Sequence, residues 1–140
     1  MNRFLFYASA RLFGEACLEL YICTRISGKE YVYLIRRPYN DPFYPSMLHM
    51  PGARKIPNET DYEHLTRAIR ETPFSSYIDE VEYLMSSTFK AKRGTEYADV
   101  RRIVLPYEPQ TGVFADFYDV EYLPQNIIEH HKEIIRMINC

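Results

Sequence analysis

The sequence has no tryptophan, no long apolar run and no excess of one charge sign. No stretch approaches the roughly 18 apolar residues of a membrane span, so no transmembrane helix is expected. The opening MNRFLFYASA sets Arg3 before an apolar run and then Ala8-Ser9-Ala10, imitating a secretion signal. Its apolar part, Phe4–Tyr7, falls short of the roughly 7–15 residues such a segment needs, and the signal reading is rejected. Seventeen basic against nineteen acidic side chains give a formal charge of −2. That balance carries no strong nucleic-acid signature, since bulk binding needs an electropositive face, although a local patch is compatible with it. Cysteine is sparse as well. Cys17, Cys23 and Cys140 are odd in number and lack metal-ligand spacing, the pattern of a reduced, cytoplasmic protein.

What is present is a globular composition. An apolar content of 46% with 26% charged residues supports a packed core, and 140 residues suffice for one domain, taken as 1–140. Of the thirteen Tyr and eight Phe, most rings are expected in that core, with a minority available to stack on a planar ligand. ACLELYICTR (16–25) and KEYVYLIRR (29–37) flank the turn signal Ser27-Gly28 and predict a β-hairpin. Three prolines in PYNDPFYPS (38–46) predict a loop, and MLHMPGARKI is short and extended, broken at Pro51-Gly52. Thr60 with Glu63 forms a capping box that opens a helix, and Pro73 stops it after Thr72. VEYLMSSTF, DVRRIVLPY and FADFYDVEYL read as strands, the first two joined by a polar loop over 90–98. A last amphipathic helix runs from Asn126 to Ile138, with Ile127, Ile128, Ile134, Ile135 and Ile138 as its apolar side. The order strands, helix, strands, helix defines one α/β domain, with no internal repeat.

The first helix carries the chemistry. At about 100° per residue, Tyr62, Leu65 and Ile69 share a face expected to enter the core. His64, Ala68, Glu71 and Thr72 gather on an adjoining stripe, placed near the edge of the core. Carboxylates at 68, 71 and 72 would converge there, as a hard cation such as Mg²⁺ requires of its oxygen ligands. Only Glu71 is one.

The stretch from Ala53 to Ser75 resembles the Nudix box, G-x5-E-x7-R-E-U-x-E-E-x-G-U with U apolar. It aligns without gaps, and Glu59, Arg67, Ile69 and Glu71 match fixed positions. Ala53 and Phe74 replace glycines, Ala68 and Thr72 replace carboxylates, and Ser75 occupies the last apolar site. The flanks agree. YLIRRPYNDPFYPSMLHMPGA is similar to the usual approach to the box, and FYDVEYLPQNIIEHHKEII to the closing strand, Leu-Pro and helix. The resemblance runs from about residue 16 onward. It implies a Nudix fold, an α/β/α sandwich around a mixed β-sheet. It also implies hydrolysis of a nucleoside diphosphate linked to another group, with Mg²⁺ or Mn²⁺ held by box carboxylates.

On that resemblance Glu71 is the surviving metal ligand and catalytic carboxylate; the bland alternative is a solvated acid paired with Arg67. Glu59 and Arg67 match the pair that shapes the loop–helix junction. Arg36, Arg37 and Arg54 are candidates for holding phosphate or stacking on a base, against a reading as ordinary strand-end charges. Glu96, taken to lie in the loop over 90–98, is the candidate general base. His64 is a candidate stand-in ligand; His130 and His131, with Glu129 and Glu133, are assigned to a solvated face.

Loss of two box carboxylates leaves any Mg²⁺ or Mn²⁺ site weak. The leading expectation is therefore a divergent Nudix protein that binds a nucleotide-like small molecule with hydrolysis weak or lost. The alternatives are a pyrophosphohydrolase using non-box carboxylates, and a scaffold for protein contacts. Homodimerisation, common among Nudix proteins, is a further implied partner state.

Overall fold

The computed structural model describes residues 15–92, 94–106 and 116–139. The segment Phe4–Tyr7, Arg93, Cys140 and the first residues of the expected strand FADFYDVEYL lie outside the described residues.

Strand β1 (Glu15–Ile26) turns back into β2 (Lys29–Tyr33) through Ser27 and Gly28. Both turn residues have positive φ, 51° and 80°, as a two-residue type I′ turn demands, which is why glycine serves at the second position. Short strands β3 (Ile35–Arg36), β4 (Leu48–His49) and β5 (Gly52–Arg54) precede helix α1 (Asp61–Arg70). A 3₁₀ turn over Ser75–Glu80 leads to β6 (Glu82–Ala91), β7 (Gly94–Val104), β8 (Phe117–Asp119) and helix α2 (Glu129–Ile138).

The main sheet runs β6-β7-β1-β2-β8, with β5 also paired to β1. β1 and β7 are parallel, whereas β1–β2, β1–β5, β2–β8 and β6–β7 are antiparallel, so the sheet is mixed. β1 is central and buried on both faces, hence its nearly unbroken apolar sequence. Its even positions Leu18, Leu20 and Ile22 pack with Ala68 and Ile69 of α1 and with Phe74. Its odd positions Tyr21 and Cys23 pack with Ile134 and Ile135 of α2, together with Val100 of β7. One helix therefore covers each face, which is the α/β/α sandwich expected.

Three boundaries differ from the sequence reading. The polar loop over 90–98 is a hairpin instead, because β6 and β7 pair through to Ala91 and Gly94. The strand expected over FADFYDVEYL is confined, among the described residues, to Phe117–Asp119, and α2 starts at Glu129 rather than Asn126. α1 is capped as expected, the Thr60 hydroxyl accepting from the Glu63 amide at 3.1 Å. Its buried face, however, is rotated: Tyr62 is 60% exposed, Leu65 half-buried, and His64, Ala68, Ile69 and Thr72 are buried. The methyl of Ala68 lets this side of the helix approach the sheet, and His64 Nε2 lies 2.7 Å from the Ala53 carbonyl of β5. Of the stripe that would hold box carboxylates, His64, Ala68 and Thr72 thus face the interior, and Glu71 alone is exposed. Among the described residues no helix is long and apolar enough to cross a membrane.

Candidate functional site

Backbone pairing sets the walls of a cleft. Leu48 donates to the Asn126 carbonyl at 2.8 Å and accepts from Ile128 at 3.0 Å, which zips the approach to α2 onto β4. β5 lies against β1 so closely that a Cβ on Gly52 would meet the Leu18 carbonyl at 2.3 Å and Glu19 Oε2 at 2.6 Å. Only glycine fits there. Between these segments opens a cleft of about 450 Å³. Arg36, Arg37, Arg54, Arg67 and Glu71 line its walls, and Cys17, Glu19, His130 and His131 contribute to its lining beneath the helix α2.

Arg67 is fixed by a two-pronged grip. Its Nε and Nη2 donate to Glu59 at 2.5 and 2.8 Å, and Nη2 also donates to the Arg54 carbonyl at 2.7 Å. Hydrogen bonding to Arg67 holds the Glu59 carboxyl below its usual range, and the same bond pushes the guanidinium up. The pair thus links the end of β5 and the residues before α1 to the helix itself. Arg37 donates to Asp41 at 3.0 Å, and the same carboxylate accepts from the amides of Tyr44 and Phe43 at 2.8 and 3.2 Å. Arg36 Nη1 donates to the Ser46 carbonyl at 2.7 Å, bracing the loop over 38–46.

The carboxylates are less conventional. Glu71 is exposed, sits at the C-cap of α1 and lines the cleft. Ala68 is wholly buried. The Thr72 hydroxyl donates to the Ile69 carbonyl at 2.8 Å and accepts from the Phe74 amide at 3.2 Å, so it terminates the helix. These donors do not fit a Mg²⁺ or Mn²⁺ clamp: one exposed carboxylate remains, and the neighbouring positions turn into the core.

Two assignments are corrected by the fold. Glu96 is not on a loop; it is fully buried within β7, and its Oε2 lies 2.6 Å from His130 Nε2. His130 and His131 are not solvated but 4% exposed each. The Met50 amide donates to His131 Nδ1 at 2.9 Å, and His131 Nε2 lies 3.6 Å from Glu19. The spacing of the isoleucines held the clue, because residue 131 falls four after Ile127 and four before Ile135, inside the apolar stripe.

The architecture, a mixed sheet between two helices with a cleft beside a loop–helix junction, defines an α/β/α sandwich. No protein-family model and no curated protein matches the sequence. Solved structures do match. The NUDIX domain of Shewanella oneidensis NrtR, complexed with ADP ribose, superposes with a TM-score of 0.61 at 16% identity, covering 99% of this chain and 97% of that one. The MutT protein from Methanosarcina mazei Go1 gives 0.63 at 12% identity, over 89% and 92% of the two chains. A mutT/nudix family protein from Listeria innocua gives 0.62 at 14% identity, over 87% and 89%. At such identities the likeness is one of fold: the chain has the Nudix fold.

Proposed function

We propose that this chain is a divergent Nudix protein that binds a nucleoside-diphosphate-linked, or related phosphorylated, small molecule in the arginine-lined cleft, with diphosphate hydrolysis weak or lost. One observation carries this reading. Arg36, Arg37, Arg54 and Arg67 line the cleft, while Ala68 and Thr72 are built into the interior instead of serving a cation. Guanidinium forks suit phosphate oxygens, and their charge favours a diphosphate without requiring that its anhydride be cleaved. A NrtR NUDIX domain of the same fold is complexed with ADP ribose, which makes that compound a rational first probe.

The test is a nucleotide panel headed by ADP-ribose, assayed by calorimetry, by thermal shift and for product release with Mg²⁺ and Mn²⁺. Binding without turnover is expected, and charge reversal at Arg54 should weaken it. Unchanged affinity on reversing Arg36, Arg37 and Arg54 in turn would remove them from the site. Silence in every assay would favour a protein-contact scaffold.

One feature favours a second reading, a hydrolase using carboxylates outside the box. Glu15, Glu19 and Glu96 are all buried on the α2 side of the sheet. Efficient metal-dependent turnover that survives Glu71→Gln would establish it.

A further inference from the structure

The odd positions of β1 that carry Tyr21 and Cys23 into the α2 core also carry Glu15, Cys17 and Glu19 at the other end of the strand. The parallel register sets Glu15 beside Glu96 and Cys17 beside Ala98 of β7. The first turn of α2 brings His130 and His131 over the same end. Glu96 is the hub. Its carboxylate groups with donor atoms of Glu15 and Cys17 within 4.8 Å of one another, and separately with those of His130 and His131. Cys17, Glu96, His130 and His131 are at most 5% exposed, and Glu15 is 8% exposed.

Local hydrogen bonding decides which imidazole can ligate. The Met50 amide donates to His131 Nδ1, so the neutral ring carries its proton on Nε2. That nitrogen then has no lone pair to offer, and His131 is a donor facing Glu19. His130 has its Nε2 directed at Glu96, 2.6 Å away. Ligand atoms bound tetrahedrally at about 2.0–2.3 Å stand roughly 3.3–3.8 Å apart, so an ion would widen that contact by about 1 Å while fitting the wider group.

We propose that the group of Glu15, Cys17 and Glu96, with His130 drawn in through Glu96, forms a site for a borderline-soft divalent metal, Zn²⁺ by preference, just beneath the cleft that Cys17 and His130 line. The donor set argues for the metal: thiolate, imidazole and carboxylate together select Zn²⁺ over Mg²⁺ or Ca²⁺. Such an ion would supply positive charge beneath the arginine wall, in place of a cation on the box helix. The site is independent of the nucleotide reading, because its readout needs no nucleotide.

The full chain, stripped with a chelator, would be titrated with Zn²⁺ in a calorimeter and its metal content measured after dialysis. One equivalent should remain bound. Co²⁺ substitution should give a thiolate-to-cobalt charge-transfer band, lost in Cys17→Ser and retained in Cys23→Ala. Cys17→Ser and His130→Gln should each weaken Zn²⁺ binding by about 100-fold or more. Absence of stoichiometric Zn²⁺ in the unmutated chain overturns the site, whatever the variants do. A Co²⁺ complex lacking the thiolate band, or Zn²⁺ binding that survives Cys17→Ser and disappears in His131→Gln, overturns the ligand assignment.

Discussion

Replacing Thr72 by valine isolates what that residue does in place of a box carboxylate. The two side chains have nearly the same shape, so the change removes a hydroxyl and little else. The Ile69 carbonyl loses one donor but still accepts from the Thr72 amide at 3.0 Å and from the amide of Glu71, the C-cap residue. The Phe74 amide loses the hydroxyl that accepts it, in a residue only 5% exposed. Stranding a buried donor costs about 1–3 kcal/mol, and the lost bond to a carbonyl still served by others adds a few tenths, for a total near 2 kcal/mol. For a chain of this size that corresponds to a fall in Tm of roughly 6–10 °C. Urea unfolding of the wild type, Thr72→Val and Thr72→Ser would measure it. Serine keeps both bonds and should lose about 1 kcal/mol or less, the worth of one methyl. Valine within about 0.5 kcal/mol of wild type, or serine as damaging as valine, would refute the assignment of Thr72 to helix termination.

Further expectations follow from the same geometry. Ala68→Glu should destabilise by about 3 kcal/mol or more, since it overpacks a wholly buried site and buries a charge, and millimolar Mg²⁺ should not restore the loss; recovery on adding Mg²⁺ in a thermal melt would show a usable clamp. Burial by itself would raise the Asp41 carboxyl, but the Tyr44 amide, then Arg37 and the Phe43 amide, outweigh it and hold the group below its usual range. A depressed native value stabilises above the unfolded value, near pH 4, and that contribution is lost as the pH falls through the native one. Asp41→Asn should therefore be less stable than wild type at pH 7, with the gap narrowing as the pH falls below about 4; a gap that widens on acidification contradicts this. Burial, then the charge of Glu30, pushes the Cys23 thiol up to about 12. At pH 8 iodoacetamide should leave Cys23 unmodified in the native protein and alkylate it in urea, read by peptide mass; equal modification in both states would refute the shift.

Sequence alone determined the elements whose causes are local. The Ser27-Gly28 turn, the Thr60–Glu63 cap and the isoleucine stripe of the last helix each follow from neighbours within a few residues, and each has its place in the fold. Glu59, which lies before the helix, was tied to Arg67 in the sequence only by the box resemblance, and the fold joins the two by an ion pair. Tertiary packing decided the rest. Tyr62 and Ala68 differ in which one the sheet can receive closely, and the small methyl won, turning His64, Ala68 and Thr72 inward. Glu96 looked like a loop base because its neighbours are polar, yet its parallel pairing with Glu15 lies some eighty positions away in the chain. His130 and His131 read as solvated for want of visible partners, and those partners, Glu96 and Glu19, come from strands that only the folded sheet brings beneath α2. Polar residues can enter a core when distant residues supply hydrogen bonds and opposite charge, and local pattern carries no record of that supply.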